Sequence, residues 1–350
     1  MTDTNRSLGD LPPEEFRKYG HQLVDWIADF FLRIDDIPVT TGMTPGALRA
    51  ALPTEAPTVG ESTDAILADV DRLIMPAMTH WNHPSNFAYF NSSGSAPGIL
   101  GEMLTAAFNV NCMTWQSCPA GTELEQVAIK WLRDALGLSR DLWGIIYDTA
   151  STATMHAVAV AREDVAGLNV REEGLAGRAE VPRLRLYASE QVHMSIDKAA
   201  LTVGIGTKGI RKVPLDDAYR MRPELLQRAI SEDRESGWLP FCVVATVGTT
   251  STTAIDPVRD IAQICQSEGI WLHVDAAHGG IAALRVSQVC ARRCRRQFHG
   301  LRCATGTQVQ GVEVVVRITV IRAGGSSGAT ETPSALGRNV CALDRRTHRI

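Results

Sequence analysis

The sequence predicts an α/β protein in which a mainly parallel sheet carries helices on both faces. Three observations predict it. From about Leu100 to Gly280, short apolar runs alternate with helical patterns of roughly 10–15 residues, the rhythm of strand–helix–strand units. The run "IWLHV" before Asp275 reads as a strand buried in a core. Several runs end on small, hydroxyl-bearing or acidic residues, where open parallel sheets place their ligands.

In order, "PPEEFRKYGHQLVDWIADFFLRI" predicts a helix opened by Pro12 and Pro13, with Phe16, Leu23, Ile27 and Phe30 near one face. A Pro-rich extended connection follows, then a second helix through "STDAILADVDRLIMPAM". "GTELEQVAIKWLRDALGL" is a helix, "WGIIYDTA" a short strand and turn, and "STATMHAVAVAREDV" a helix. "RLRLYASEQ" and "GIRKVPLD" are strands flanking the helix "SIDKAALTVG". "RPELLQRAISEDRESG" and "DPVRDIAQICQSEG" are helices around the strand "PFCVVATVGTT", and "IWLHVDAAHGG" closes the series. This divides the chain into an N-terminal helical segment, 1–85, a large domain, 86–284, and an aberrant tail, 285–350.

A chain of 350 residues with 45% hydrophobic and 21% charged residues is ordinary for a globular protein with a sizeable core. The start lacks a basic-then-apolar leader, no run is long enough to span a membrane, and the eight cysteines show no framework, so a cytoplasmic chain is expected. The net charge of −4 hides a split. Residues 1–284 hold 23 Lys+Arg against 36 Asp+Glu; residues 285–350 hold 12 arginines, no lysine and three acids.

Three strand ends carry chemistry. After "GIIY" come Asp148, Thr149, Ala150 and Ser151 and then a helix, so hydroxyls and free N–H groups meet at a helix N-terminus, a site for an anion or phosphate. After "CVVATV" comes a turn of Gly248, Thr249, Thr250 and Ser251. After "WLHV" comes Asp275, a carboxylate that is costly at the end of a core strand unless a cation meets it. Capping by Ser151 and an ordinary turn at Thr250 explain those two residues equally well.

Together with "IMPAMTHWNHPSNFAYF", "SCPAGTELEQVAIKWL", "VHMSIDKAA", "PFCVVATVGTTSTT" and "WLHVDAAHGG", in this order, these ends make the chain resemble the group II amino-acid decarboxylases, fold-type I enzymes dependent on pyridoxal phosphate, and the aromatic-L-amino-acid decarboxylases among them. The resemblance runs from about Pro13 to Gly280. It implies an aspartate aminotransferase-like large domain and decarboxylation of an L-amino acid, aromatic by the pocket residues, in a homodimer. It implies that Asp275 faces the protonated pyridine nitrogen and keeps the ring an electron sink. It places Ala150 and Ser151 at the phosphate, Thr250 beside the cofactor, His193 stacked on the ring and assisting at the substrate, and Trp81 and Ser92 along the substrate pocket. Trp81 as a plain core aromatic stays open. Asp148 and Thr149 stand where many relatives carry Gly-Ser, His278 where they carry tyrosine, and Asn91–Ser92 where Pro-Thr is expected.

The family also uses a lysine downstream of the Asp-Ala-Ala motif to hold the cofactor covalently. The lysines here are Lys18, Lys130, Lys198, Lys208 and Lys212, none after Asp275. The family's small C-terminal domain is likewise not recognisable, and from Ala283 the periodicity fades, with only "VEVVVRITVI" strand-like. These observations motivate a frameshift near Ala283, which resequencing codons 280–310 tests, and an inactive chain. A non-catalytic relative that binds the phosphate ester, and a fragment without function, stay open beside it.

Other patterns are decoys. "GIGTKG" follows a helix and precedes a strand, the reverse of a dinucleotide fingerprint. Cys290, Cys294, His299 and Cys303 lack zinc-site spacing, so no metal is expected, and "RRCRR" lacks the aromatic interleaving of a nucleic-acid surface.

Overall fold

The structure, a computed structural model, describes residues 11–58, 60–90 and 94–280 and the backbone of Ile318–Thr319. Its centre is a sheet in the order β2-β1-β3-β4-β5, made of β1 (Arg183–Ser189), β2 (Ile210–Val213), β3 (Trp238–Thr246), β4 (Trp271–Asp275) and β5 (Ile318–Thr319). The first four strands run parallel; β5, within the run foreseen as strand-like, joins β4 antiparallel.

Helices cover both faces, because each inner strand is apolar on both sides. On one face, α6 (Ala150–Glu163), α7 (Val170–Glu173) and α8 (Ser195–Thr202) bury Val158, Ala161, Val170, Ile196 and Ala199 against Leu184, Leu186, Ala188, Cys242, Val244 and Trp271. On the other, α9 (Pro223–Glu235) and α10 (Val258–Glu268) bury Leu226, Ile230, Ile261 and Cys265 against Tyr187, Val243, Ala245, Leu272 and Val274. The alternation of side chains along β3 and β4 thus sorts odd from even positions onto two cores.

Before the sheet, residues 11–85 contain α1 (Pro13–Leu32), α2 (Ala47–Ala51) and α3 (Thr63–Asp69), and α4 (Ala96–Ala107) and α5 (Pro119–Leu136) follow. Three details differ from the sequence reading. The second helix does not run through to Met78: after α3 it widens into a π turn over Val70–Ile74 and tightens into a 3₁₀ turn at Met75–Ala77, with Pro76 inside. The helices α2, α4 and α7 were not foreseen. "WGIIY" forms a single bridge residue, Tyr147, rather than a strand. The stretch Gly204–Gly209 does connect α8 to β2, as its pattern required.

Candidate functional site

The carboxyl edge of the sheet collects the marked residues. The connection from β1 through α8 to the parallel strand β2 returns α8 from the carboxyl edge to the amino edge. Arg162, in the last turn of α6, donates from Nη1 to the Val203 carbonyl just beyond the end of α8 at 2.6 Å. The last turn of α6 therefore sits at the amino edge and its first turn, Ala150 and Ser151, at the carboxyl edge. His193, after β1, Thr250, after β3, and Asp275, closing β4, share that edge.

Asp275 is buried at 9% exposure. It pairs in register with Thr246, as Val244 pairs with His273 and Cys242 with Trp271, so Asp275 and Thr246 project toward the face that α6 and α8 cover. One carboxylate oxygen, Oδ1, accepts the Ala277 N–H at 3.2 Å. Among the described residues no lysine, arginine or histidine ion-pairs with it. Beside it the Thr246 hydroxyl is buried and has no hydrogen-bond partner among the described residues. No motif marks this hydroxyl; only strand register brings it to Asp275.

The turns around Asp275 explain its flanking residues. The Val247 N–H donates to the Asp275 carbonyl at 2.8 Å and the Gly279 N–H to the Val247 carbonyl at 3.2 Å. A Cβ on Gly279 would collide with that carbonyl, so the chain after Asp275 must carry glycine there to fold back on β3. Asp256 fixes the end of β3 from below: Oδ2 accepts the Thr246 N–H at 2.8 Å and Oδ1 the Met221 N–H at 2.7 Å. Burial pushes the Asp256 carboxyl up, against the pull of those two N–H groups.

At the start of α6 the N-cap is Thr149, whose Oγ1 accepts the Thr152 N–H at 3.1 Å. Ser151 is therefore not the cap but the second residue of the helix, exposed, with Ala150 as the first. Asp148 is exposed and its Oδ1 accepts the Thr149 N–H at 2.9 Å, which sets a carboxylate beside this N-terminus. His193 is oriented from one side. The Ser195 N–H donates to Nδ1 at 3.2 Å and the Ser195 hydroxyl lies 2.9 Å from it, so the neutral ring carries its proton on Nε2.

In the loop after β3 the built-in threonine is Thr249, with Oγ1 accepting the Ala254 N–H at 3.0 Å, whereas Thr250 is exposed at the tip. Trp81 is 48% exposed rather than a core aromatic, and it stacks on Tyr89 with ring centroids 5.5 Å apart. The neighbouring Phe90 stacks on His278 at 4.0 Å, which brings the 81–90 loop to the end of β4. Tyr89 and Phe90 both hold positive φ (65° and 49°), a costly backbone for aromatic residues. Ser92, Asn91, Cys290, Cys294, His299 and Cys303 lie outside the described residues.

A buried carboxylate and a buried hydroxyl beside it, the one without a cation and the other without a partner among the described residues, join a helix N-terminus and an oriented imidazole in a donor set that fits a cationic heterocycle with a phosphate arm. A lysine to tether such a group covalently is not found after Asp275.

Comparison with known proteins agrees. The pyridoxal-dependent decarboxylase conserved domain matches residues 45–313, a range that continues past Ala283. A tyrosine decarboxylase of Papaver somniferum is 39% identical over 290 residues, covering 79% of this chain and 55% of that protein. A phenylacetaldehyde synthase of Arabidopsis thaliana is 39% identical over 289 residues, covering 80% and 58%. The structure of Catharanthus roseus tryptophan decarboxylase in complex with L-tryptophan superposes with a TM-score of 0.74 at 35% identity, covering 79% of this chain and 60% of that one. The chain thus spans a little over half the length of the curated relatives it matches.

Proposed function

The chain belongs to the pyridoxal-dependent decarboxylase family, and on that footing we propose that its site serves the removal of carbon dioxide from an aromatic L-amino acid to leave the amine. The observation that carries the reading is Asp275, buried and without a cationic partner among the described residues, on the sheet face and edge where α6 begins. Pyridoxal phosphate, when bound, supplies an electron sink for the pair left on the substrate's α-carbon.

The chain's own residues have separable tasks in this proposal. Asp275 holds a proton on the ring nitrogen. Ala150 and Ser151 offer the first N–H groups of α6 to the phosphate, and Thr250 adds a hydroxyl from the loop after β3. His193, oriented by Ser195, presents Nε2 to the ring and substrate. Trp81 and Ser92 border the substrate side. The tyrosine and tryptophan decarboxylases among its relatives support an aromatic substrate.

We further propose that this chain binds the cofactor reversibly and does not turn over, because none of residues 276–350 is a lysine. Of the upstream lysines, Lys212 is paired with Asp197 and Lys198 is exposed on α8. A cytoplasmic location and a homodimer belong to the same proposal. Titration of the full chain with pyridoxal phosphate, followed by absorbance and dialysis, tests it. Saturable binding that dialysis reverses, with no band near the visible edge, is expected. A folded protein that shows no saturable binding would overturn the site. A band that borohydride fixes onto a lysine would overturn the claim that attachment is non-covalent.

A further inference from the structure

Away from this edge, the residues before α5 bring two sulfurs together. Cys118 is the N-cap of α5, and its Sγ accepts the Gly121 N–H at 3.3 Å. Cys112, six positions earlier, is exposed and Cys118 is half-buried. A Cβ on Gly121 would stand 2.5 Å from the Cys112 sulfur and 2.9 Å from the Cys118 sulfur. Both sulfurs therefore occupy the space that a side chain at 121 would take, and lie side by side. The intervening turn is already closed: the Ser117 hydroxyl donates to the Asn111 carbonyl at 2.8 Å, and the Cys118 N–H donates to the Thr114 carbonyl. Little further ordering is needed to join the pair.

We propose that Cys112 and Cys118 form a reversible disulfide, a modification site closed by a peroxide and opened by a thiol. In closure, one thiolate attacks an oxygen of hydrogen peroxide, the O–O bond breaks and hydroxide leaves, giving a sulfenic acid. The second thiolate attacks that sulfur; the S–S bond forms, the S–O bond breaks and a second hydroxide leaves. Two electrons pass from the sulfurs to the peroxide, and the two thiol protons end in two waters. Local desolvation, the neighbouring Cys118 thiol and the Glu125 carboxylate push the Cys112 thiol up, so closure is slow at neutral pH and faster in mild alkali. The remaining described cysteines, Cys242 and Cys265, are buried in the sheet core, and burial holds both thiols up, Cys265 at about 12.

The test uses the full chain, treated with hydrogen peroxide or with a thiol reductant, alkylated, and cleaved after Trp115 between the two cysteines. The expected result after peroxide is that the Cys112 and Cys118 fragments run joined, two hydrogens lighter than their sum, and separate on reduction. Gly121→Ala, which crowds both sulfurs, should lower the joined fraction several-fold, while Cys112→Ser leaves Cys118 alkylated. Recovery of both cysteines as separate alkylated or sulfonated fragments overturns the proposal. So does a Cys118 cross-link to any other cysteine.

Discussion

Asp275 poses two opposite demands on one side chain. For binding, its charge is an asset: a charge-assisted hydrogen bond contributes roughly 1.5–3 kcal/mol, so Asp275→Asn should weaken pyridoxal phosphate binding by about tenfold to a hundredfold. For folding, the same charge is a burden, since it is buried and no cation pairs with it among the described residues. The variant should therefore hold or raise the melting temperature. A parallel loss of binding and of stability, by titration and thermal unfolding, would mean that Asp275 is a structural residue. Asp148 makes the reverse case. Its carboxylate beside the start of α6 stabilises the helix dipole but repels a phosphate. Asp148→Asn should bind the cofactor a few-fold more tightly at low salt while losing about 0.3–1 kcal/mol of stability; equal affinities at low and high salt would sink this. The placing of Asp275, His193 and the start of α6 along one sheet edge was legible because short motifs at strand ends mark it. The Thr246 hydroxyl and the stack of Phe90 on His278 were not, because each depends on register or on a contact across nearly two hundred positions of the chain.

Strand β3 shows how a single buried side chain ties segments together. Asp256 accepts N–H groups from the end of β3 and from Met221 before α9, both buried. Replacing it with alanine strands two buried donors, and at about 1–3 kcal/mol each this should cost about 2–6 kcal/mol in urea unfolding. Asp256→Asn separates charge from hydrogen bonding. Burial raises the Asp256 carboxyl in the folded state, so the folded protein holds that proton more tightly than the unfolded chain does. The native protein's stability relative to Asp256→Asn should consequently be greatest below the ordinary carboxylate range. It should fall as pH rises through the raised folded value and level off above it. A difference that grows with pH would show that the two N–H groups outweigh desolvation. Elements such as β3 and β4 were readable because an apolar run bounded by turn residues admits few alternatives. Helix α4 was not. Its "APGILGEMLTAA" is apolar on most sides and begins Ala-Pro-Gly, so no polar face marks a helical period, and Ser95 accepting the Gly98 N–H is its main starting signal. "WGIIY" reads as a strand by composition, yet a strand also requires a neighbour along its length, which composition cannot supply.

Core and surface are unevenly shared between the two parts of the described chain. The sheet and its covering helices bury two apolar clusters, whereas α1, twenty residues long, has no buried residue at all. Its Phe16 is 63% exposed, and along α4 and α5 Leu104, Leu124 and Trp131 are each more than half exposed, as is Phe108 just after α4. Amphipathic helices normally turn such residues inward, since leaving a large apolar side chain in water forgoes roughly 1.5–3 kcal/mol of burial. Exposed apolar side chains in such number would suit an interface. The proposed homodimer supplies one, and an isologous contact would match each exposed face with its copy. Sedimentation velocity at increasing concentration should then show a species of twice the chain mass. Replacing Leu104 and Phe108 by glutamate should shift it to monomer while far-ultraviolet circular dichroism stays unchanged. A native chain that sediments as a monomer at tens of micromolar would rule the dimer out, and would leave these faces to be covered by another protein.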